Sequence, residues 1–264
     1  SCRIMPASCC CFGVFWYKNC IDCTVLSQAR FLVLRVLDNR ALLSPARYQS
    51  ASFEADQVST MPVSMIDVLW LVLCAGLVFN MQIGFLCLES GLTRSKNAIN
   101  VAVKNMADLG VAVFLYWLFG FSLMFGASST GLFGGGFVML SFNDTWQAAF
   151  FLFQAMFCTT AATIVSGAAA ERMRFTAYLL VTAIAAGLIY PFFGHWAWGG
   201  SFSAGEGWLA GRGFVDFAGS TVVHGVGGWI ALAVILILGP RHGRYDQERE
   251  GRSMPGSNLP LAML

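Results

Sequence analysis

The chain has 264 residues, a formal charge of +2, 57% hydrophobic residues and only 11% charged ones. Soluble domains average about 25% charged residues, so there is too little charge here to cover a water-exposed surface. The near-neutral balance also supplies no basic stripe of the kind that marks nucleic-acid binding.

In chain order, residues 1–60 stand apart. They hold six of the nine cysteines (Cys2, Cys9, Cys10, Cys11, Cys20 and Cys23) and six of the sixteen basic residues. Cys20 and Cys23 form a C-x-x-C, but no second pair and no strand–helix context supports a metal or redox site. Arg35 interrupts the apolar stretch Phe31–Leu37, which makes a poor signal-peptide core. We expect 1–60 to be a leader, non-native or disordered, with a genuine targeting segment as the alternative. We expect 61–264 to be the N-terminal part of a membrane domain.

Five apolar runs follow: Val63–Leu88, Val101–Phe125, Trp146–Ala170, Phe175–Phe193 and Phe217–Leu238. Each has roughly the 20 residues needed to cross a bilayer as a helix. None alternates apolar and polar as barrel strands do. The last three carry no Asp, Glu, Lys or Arg, while Asp67 sits near the start of the first and Lys104 and Asp108 near the start of the second. Lys104 is expected to snorkel to the interface and Asp108 to face protein rather than lipid. Ser257–Leu264 opens a further apolar stretch. The fold class is therefore all-α integral membrane, with five complete transmembrane helices plus the start of a sixth.

Basic residues set the expected orientation. Arg94 and Lys96 follow the first run, Arg172 and Arg174 the third, and Arg241, Arg244, Arg249 and Arg252 the fifth. Segment 126–145 has no Lys or Arg, and 194–216 has Arg212 alone. Cytoplasmic loops hold the excess of Lys and Arg, which places residues 94–96, 172–174 and 241–252 inside and the start of the first helix outside, in a multi-pass protein of the cell membrane.

The chemistry concentrates in the fifth run, where Asp216 precedes His224 by eight positions. A helix rises ~1.5 Å per residue, so the two stand ~12 Å apart along its axis. An ionisable group at that depth marks function by default; the alternative is a neutral histidine that only packs. No Gly-x-Ser-x-Gly elbow, HExxH or P-loop is present. The glycine-rich stretches 131–136 and 199–213 lack the strand-to-helix context of nucleotide binding, so neither an enzyme nor a cofactor is expected.

Five segments, in order, resemble the ammonium transporters of the Amt/Mep/Rh superfamily, Amt-like branch. They are Gly84–Asn97, Gly167–Phe175, Gly194–Gly200, Asp216–Ser220 with His224 and Gly239–Arg241, and Asn258–Leu261. The resemblance implies the first half of an eleven-helix inverted-repeat transporter, a homotrimer at full length, and ammonium or ammonia as the substrate. It implies that Trp198 holds a cation at the outer mouth and that Phe153 and Phe157 close the pore below. Asp216 acts there either through its field or by holding the loop. His224 is the first member of a pore-lining histidine pair. Trp196 rivals Trp198 for the aromatic role, and His195 and His242 are read as loop residues. Counted depths of roughly 16 Å for Phe157 and 10 Å for His224 do not reproduce the family order of Trp198, phenylalanines, then histidine. An ammonium sensor with a signalling domain is the alternative function.

Overall fold

The computed structural model describes residues 64–135, 142, 144–201, 207–245 and 250–264. The segment read as a leader, 1–60, lies outside the described residues. The chain divides into two units, Ser1–Trp70 and Leu71–Leu264. Five helices are long and apolar enough to cross a membrane: α1 (Met65–Leu92), α2 (Ser95–Phe125), α3 (Thr145–Ala169), α4 (Phe175–Trp198) and α5 (Ser220–Leu238). A one-turn helix, α6 (Leu259–Ala262), begins where the sixth apolar stretch was expected. No strand occurs among the described residues. The all-helical membrane architecture read from the sequence is the one observed.

Local chemistry explains where the helices begin. Ser64 and Asp67 bond reciprocally: the Ser64 backbone N–H donates to Asp67 Oδ2 at 3.0 Å, and Asp67 N–H donates back to Ser64 Oγ at 3.3 Å. That is a capping box, and it accounts for the lone charge in the first run. Asp144 caps α3 by accepting from Gln147 N–H at 2.7 Å. α2 starts at Ser95, six residues before the apolar run, because Ser-Lys-Asn-Ala is compatible with helix without being apolar. α4 runs five residues past Phe193, and so takes in both His195 and Trp198.

In lipid there is no hydrophobic drive between helices, so association depends on close packing and buried polar contacts. Gly227 of α5 lies against α3; a Cβ there would stand 2.8 Å from the Ala161 carbonyl oxygen and 3.0 Å from Ile164 Cβ. Any larger residue would push the two helices apart. One turn further along α3, Val165 and Ala169 pack with Tyr178 and Val234, flanked by Met173, Ile230 and Leu238. The opposite face of α3 is hydroxylated. Thr163 Oγ1 donates to Gln82 Oε1 at 2.9 Å, and Gln82 Nε2 donates to Thr159 and Thr160 at 2.9 and 3.1 Å.

Two ionisable side chains of α2 are enclosed. Asp108 is buried, as expected. Lys104 differs from expectation: it is buried too, and its ammonium donates to the Met173 carbonyl at 2.6 Å. The main-chain acceptor of the α3–α4 turn replaces interfacial water.

The basic segments meet on one side of the helices. Glu171 Oε1 accepts from Arg94 N–H and Nε at 3.1 and 2.9 Å and from Asn97 Nδ2 at 2.9 Å, while Arg241 lies 3.7 Å from Oε2. Arg172 donates to the Gly239 carbonyl at the end of α5, at 3.1 Å. Burial pushes the Glu171 carboxyl up, but hydrogen bonds from Arg94 and Asn97 and the Arg94 charge outweigh it and hold the group below its usual value. Glu171 itself has φ of 63°, the left-handed region that costs a non-glycine residue. The loops poor in Lys and Arg meet at the other end. Trp196 Nε1 donates to the Leu132 carbonyl at 2.8 Å, and Trp208 N–H to that of Gly131 at 2.9 Å.

Candidate functional site: an aromatic group at the mouth of α5

Asp216 organises the entry to α5. Its Oδ1 accepts the N–H groups of Gly219 and Ser220, both at 2.9 Å, and its Oδ2 those of Thr221 and Val222, at 2.8 and 2.7 Å. The first N–H groups of a helix have no partner within it, and the positive end of its dipole favours an anion. The carboxylate meets both demands. A carboxylate offers about four lone-pair sites, so these four donors use the set. The turn that brings them round is wide: Ser220–Gly225 is π-helical, and Gly219 before it has φ of 78°. Glycine alone adopts that conformation without a Cβ penalty, and a Cβ here would also press on Val223 and stand 3.3 Å from the Trp198 ring. This capped turn is why α5 starts at Ser220 rather than at Phe217.

Trp198 sits across from that turn at the end of α4. Its indole Nε1 donates to the main-chain oxygen of Asp216 at 2.7 Å. The ring is half-buried and meets Phe157 edge-on, with centroids 6.5 Å apart at 60°. Phe157 in turn meets Phe153 one turn away on α3, at 4.8 Å and 81°. The two phenylalanines are therefore edge-to-face with each other, a favourable aromatic geometry.

The structure thus brings Trp198, Asp216, Phe157 and Phe153 into one contiguous group. His224 is separate. It lies within the π-turn of α5, its side chain is exposed, and it has no side-chain hydrogen bond among the described residues. Trp196 does not share the group. It is bound to Leu132 and packs on Phe193 and Trp208, the latter carrying the Arg212 guanidinium over its ring at 4.4 Å. Among the described residues no cluster of His, Cys, Asp and Glu suited to a metal occurs.

Several polar residues escaped the sequence reading. His195, taken there as a loop residue, lies within α4, is fully buried, and has Nδ1 2.8 Å from the Met124 carbonyl. Glu89 Oε2 accepts from Asn105 at 2.9 Å and from Ser166 at 2.7 Å. The spacing of Thr159, Thr163 and Ser166 at i, i+4 and i+7 was the available signal, since such residues share a helix face.

Five apolar spans enclosing polar side chains define a multi-pass membrane protein. The sequence profile of the Ammonium Transporter Family matches residues 69–264, and the chain belongs to that family. A Synechocystis sp. chain proposed to be an ammonium transporter is 58% identical over 208 residues, covering 76% of this chain and 38% of that one. Ammonium transporter Amt2 of Archaeoglobus fulgidus is 41% identical over 216 residues, covering 80% and 46%. A solved structure described as a sensor Amt protein superposes with a TM-score of 0.71 at 42% identity, covering 74% of this chain and 50% of its own. The chain spans half or less of the length of these relatives.

Proposed function

We propose that the complete gene product moves ammonium or ammonia across the cell membrane, with the start of α1 outside, and that it assembles as a homotrimer within the lipid bilayer. Family membership supports the substrate class. The single observation that supports the route is the contiguous group Trp198, Asp216, Phe157 and Phe153. Residues 1–60 are a leader in this proposal, outside the transport domain.

In this reading the exposed face of the Trp198 ring attracts the cation through its quadrupole. Asp216 acts mainly as a positioning residue. Its carboxylate is committed to the α5 turn, and its carbonyl holds the indole, so it shapes the mouth and adds a negative field. Below the mouth, edge-to-face Phe153 and Phe157 exclude water. Moving a bare ion past them is costly, and desolvation favours the neutral form of a cationic acid. Ammonium can shed its proton and pass as ammonia; potassium cannot. His224 lies deeper on α5, where an imidazole can accept or donate a hydrogen bond to the passing molecule.

A second reading, an ammonium sensor, is favoured by the 42% identity to the solved sensor Amt protein. Uptake of labelled methylammonium by cells lacking their own ammonium transporters separates the two. A transporter accumulates label saturably. A pure sensor gives ammonium-dependent conformational change with no accumulation.

A further inference from the structure

A second polar site lies away from the aromatic group, among α1, α2, α3 and α4. Asn105 of α2 donates through Nδ2 to Glu89 Oε2 at 2.9 Å and to the Val101 carbonyl at 3.1 Å. Both of these partners are acceptors, so the amide cannot be turned the other way round. Its Oδ1 is then left without a donor among the described residues, at 6% exposure. One turn further along the same helix, Asp108 accepts from the Tyr178 hydroxyl through Oδ2. Its Oδ1 also has no donor among the described residues, at 1% exposure. Residues three apart on a helix are neighbours, with Cβ atoms roughly 5–6 Å apart. Two orphaned, acceptor-only oxygens therefore belong to neighbouring residues on one face of α2 inside the bilayer, where an unsatisfied polar atom is costly.

We propose that Asp108 is a proton-binding site: Oδ1 carries a proton and donates it to Asn105 Oδ1. One proton satisfies both orphaned atoms. Glu89 does not fill this gap: its Oε2 accepts from Asn105 Nδ2 and from Ser166, at 2.9 and 2.7 Å, and Asn105 Oδ1 still lacks a donor. The ionisable groups facing this site are Glu89 from α1, Lys104 from α2 and Tyr178 from α4; α3 contributes the neutral hydroxyls of Thr163 and Ser166. The Lys104 ammonium lies 5.6 Å from the centre of the Tyr178 ring. With Asp108 neutral, no second carboxylate charge is held near that of Glu89 in a low-dielectric interior. The site does not depend on the transport reading.

The test is infrared spectroscopy of the purified complete gene product at neutral pH, in the carbonyl-stretch region of protonated carboxylic acids. A buried carboxylic acid band is expected. Asp108→Asn, whose amide can donate as the acid does, should abolish that band, while Glu89→Gln should leave it. Tyr178→Phe removes the donor to the acid's carbonyl oxygen and should move the band to higher frequency, which decides the matter even where Asp108→Asn fails to fold. No such band in the wild type, a band lost in Glu89→Gln instead, or a band unmoved by Tyr178→Phe each overturns the proposal.

Discussion

The indole N–H of Trp198 donates to the main-chain oxygen of Asp216 at 2.7 Å, which joins the end of α4 to the start of α5 at the mouth of the aromatic group. The ring's position is therefore set by the same residue whose carboxylate caps α5. Capture and architecture are coupled at this point, and substitutions on either side of the bond should separate them.

Trp198→Leu removes both the ring face and the donor. A cation–π contact contributes about 0.5–2 kcal/mol, so substrate capture should weaken about 2- to 30-fold. Trp198→Phe keeps a ring but orphans the Asp216 oxygen, and should show a smaller rise in KM. Concentration-dependent methylammonium uptake by the complete gene product, corrected for protein in the membrane, checks the order. Equal loss in both variants would assign the effect to the hydrogen bond rather than the ring.

Asp216→Ala should be the most damaging change in the site. It removes the acceptor for four N–H groups, and hydrogen bonds to a charged group are each worth about 1.5–3 kcal/mol. Asp216→Asn keeps one acceptor oxygen and should lie between Ala and wild type. Thermal stability in detergent, followed by size exclusion, measures this directly. Unchanged stability with lost uptake would instead assign Asp216 to the substrate.

His224→Ala should leave membrane abundance and thermal stability near wild type, because the side chain is exposed and has no hydrogen bond to lose among the described residues. Uptake should be lost, or its discrimination against potassium reduced. Competition by potassium in the uptake assay reads the second outcome. A variant with wild-type rate and selectivity would return His224 to a packing role.

Glu171 carries a pH prediction. Its folded-state carboxyl lies below its usual value, since the bonds from Arg94 and Asn97 outweigh burial. The sign follows from linkage: this contribution is fully present above the unfolded-state value and is lost as pH falls through the folded-state value. Glu171→Gln should be less stable than wild type at neutral pH and converge with it in acid. At φ of 63°, Glu171→Gly should be less harmful than Glu171→Ala, because only the alanine retains the left-handed strain of about 1–2 kcal/mol. Parallel pH–stability curves for wild type and Glu171→Gln would contradict the assignment.

The five spans were legible because hydropathy alone separates them, yet their ends were not. Ser95–Asn100 is helical without being apolar, and His195 and Trp198 continue α4 past the last strongly apolar residue. The turn capped by Asp216 delays the start of α5 to Ser220, past the first residues of the apolar run, which no hydropathy window registers. The π-turns at Tyr116–Gly120, Ala185–Ile189 and Ser220–Gly225 depend on tertiary packing, as does the glycine approach of α5 to α3. In the candidate site, residue type and depth pointed to Asp216 and His224. Trp198 and the phenylalanines emerged from the family resemblance, because aromatic residues are common in any membrane helix. The committed geometry of the Asp216 carboxylate needed coordinates, since an acidic residue at a helix start reads equally as a cap or a cation ligand.

The measurement that bears most directly on the account is uptake of labelled methylammonium by the complete gene product in cells that lack their own ammonium transporters, with ammonium and potassium as competitors. The account predicts saturable uptake that ammonium suppresses and potassium at equal concentration does not, with uptake lost in Asp216→Ala. Membrane-inserted, folded protein that takes up no more label than control cells would contradict it.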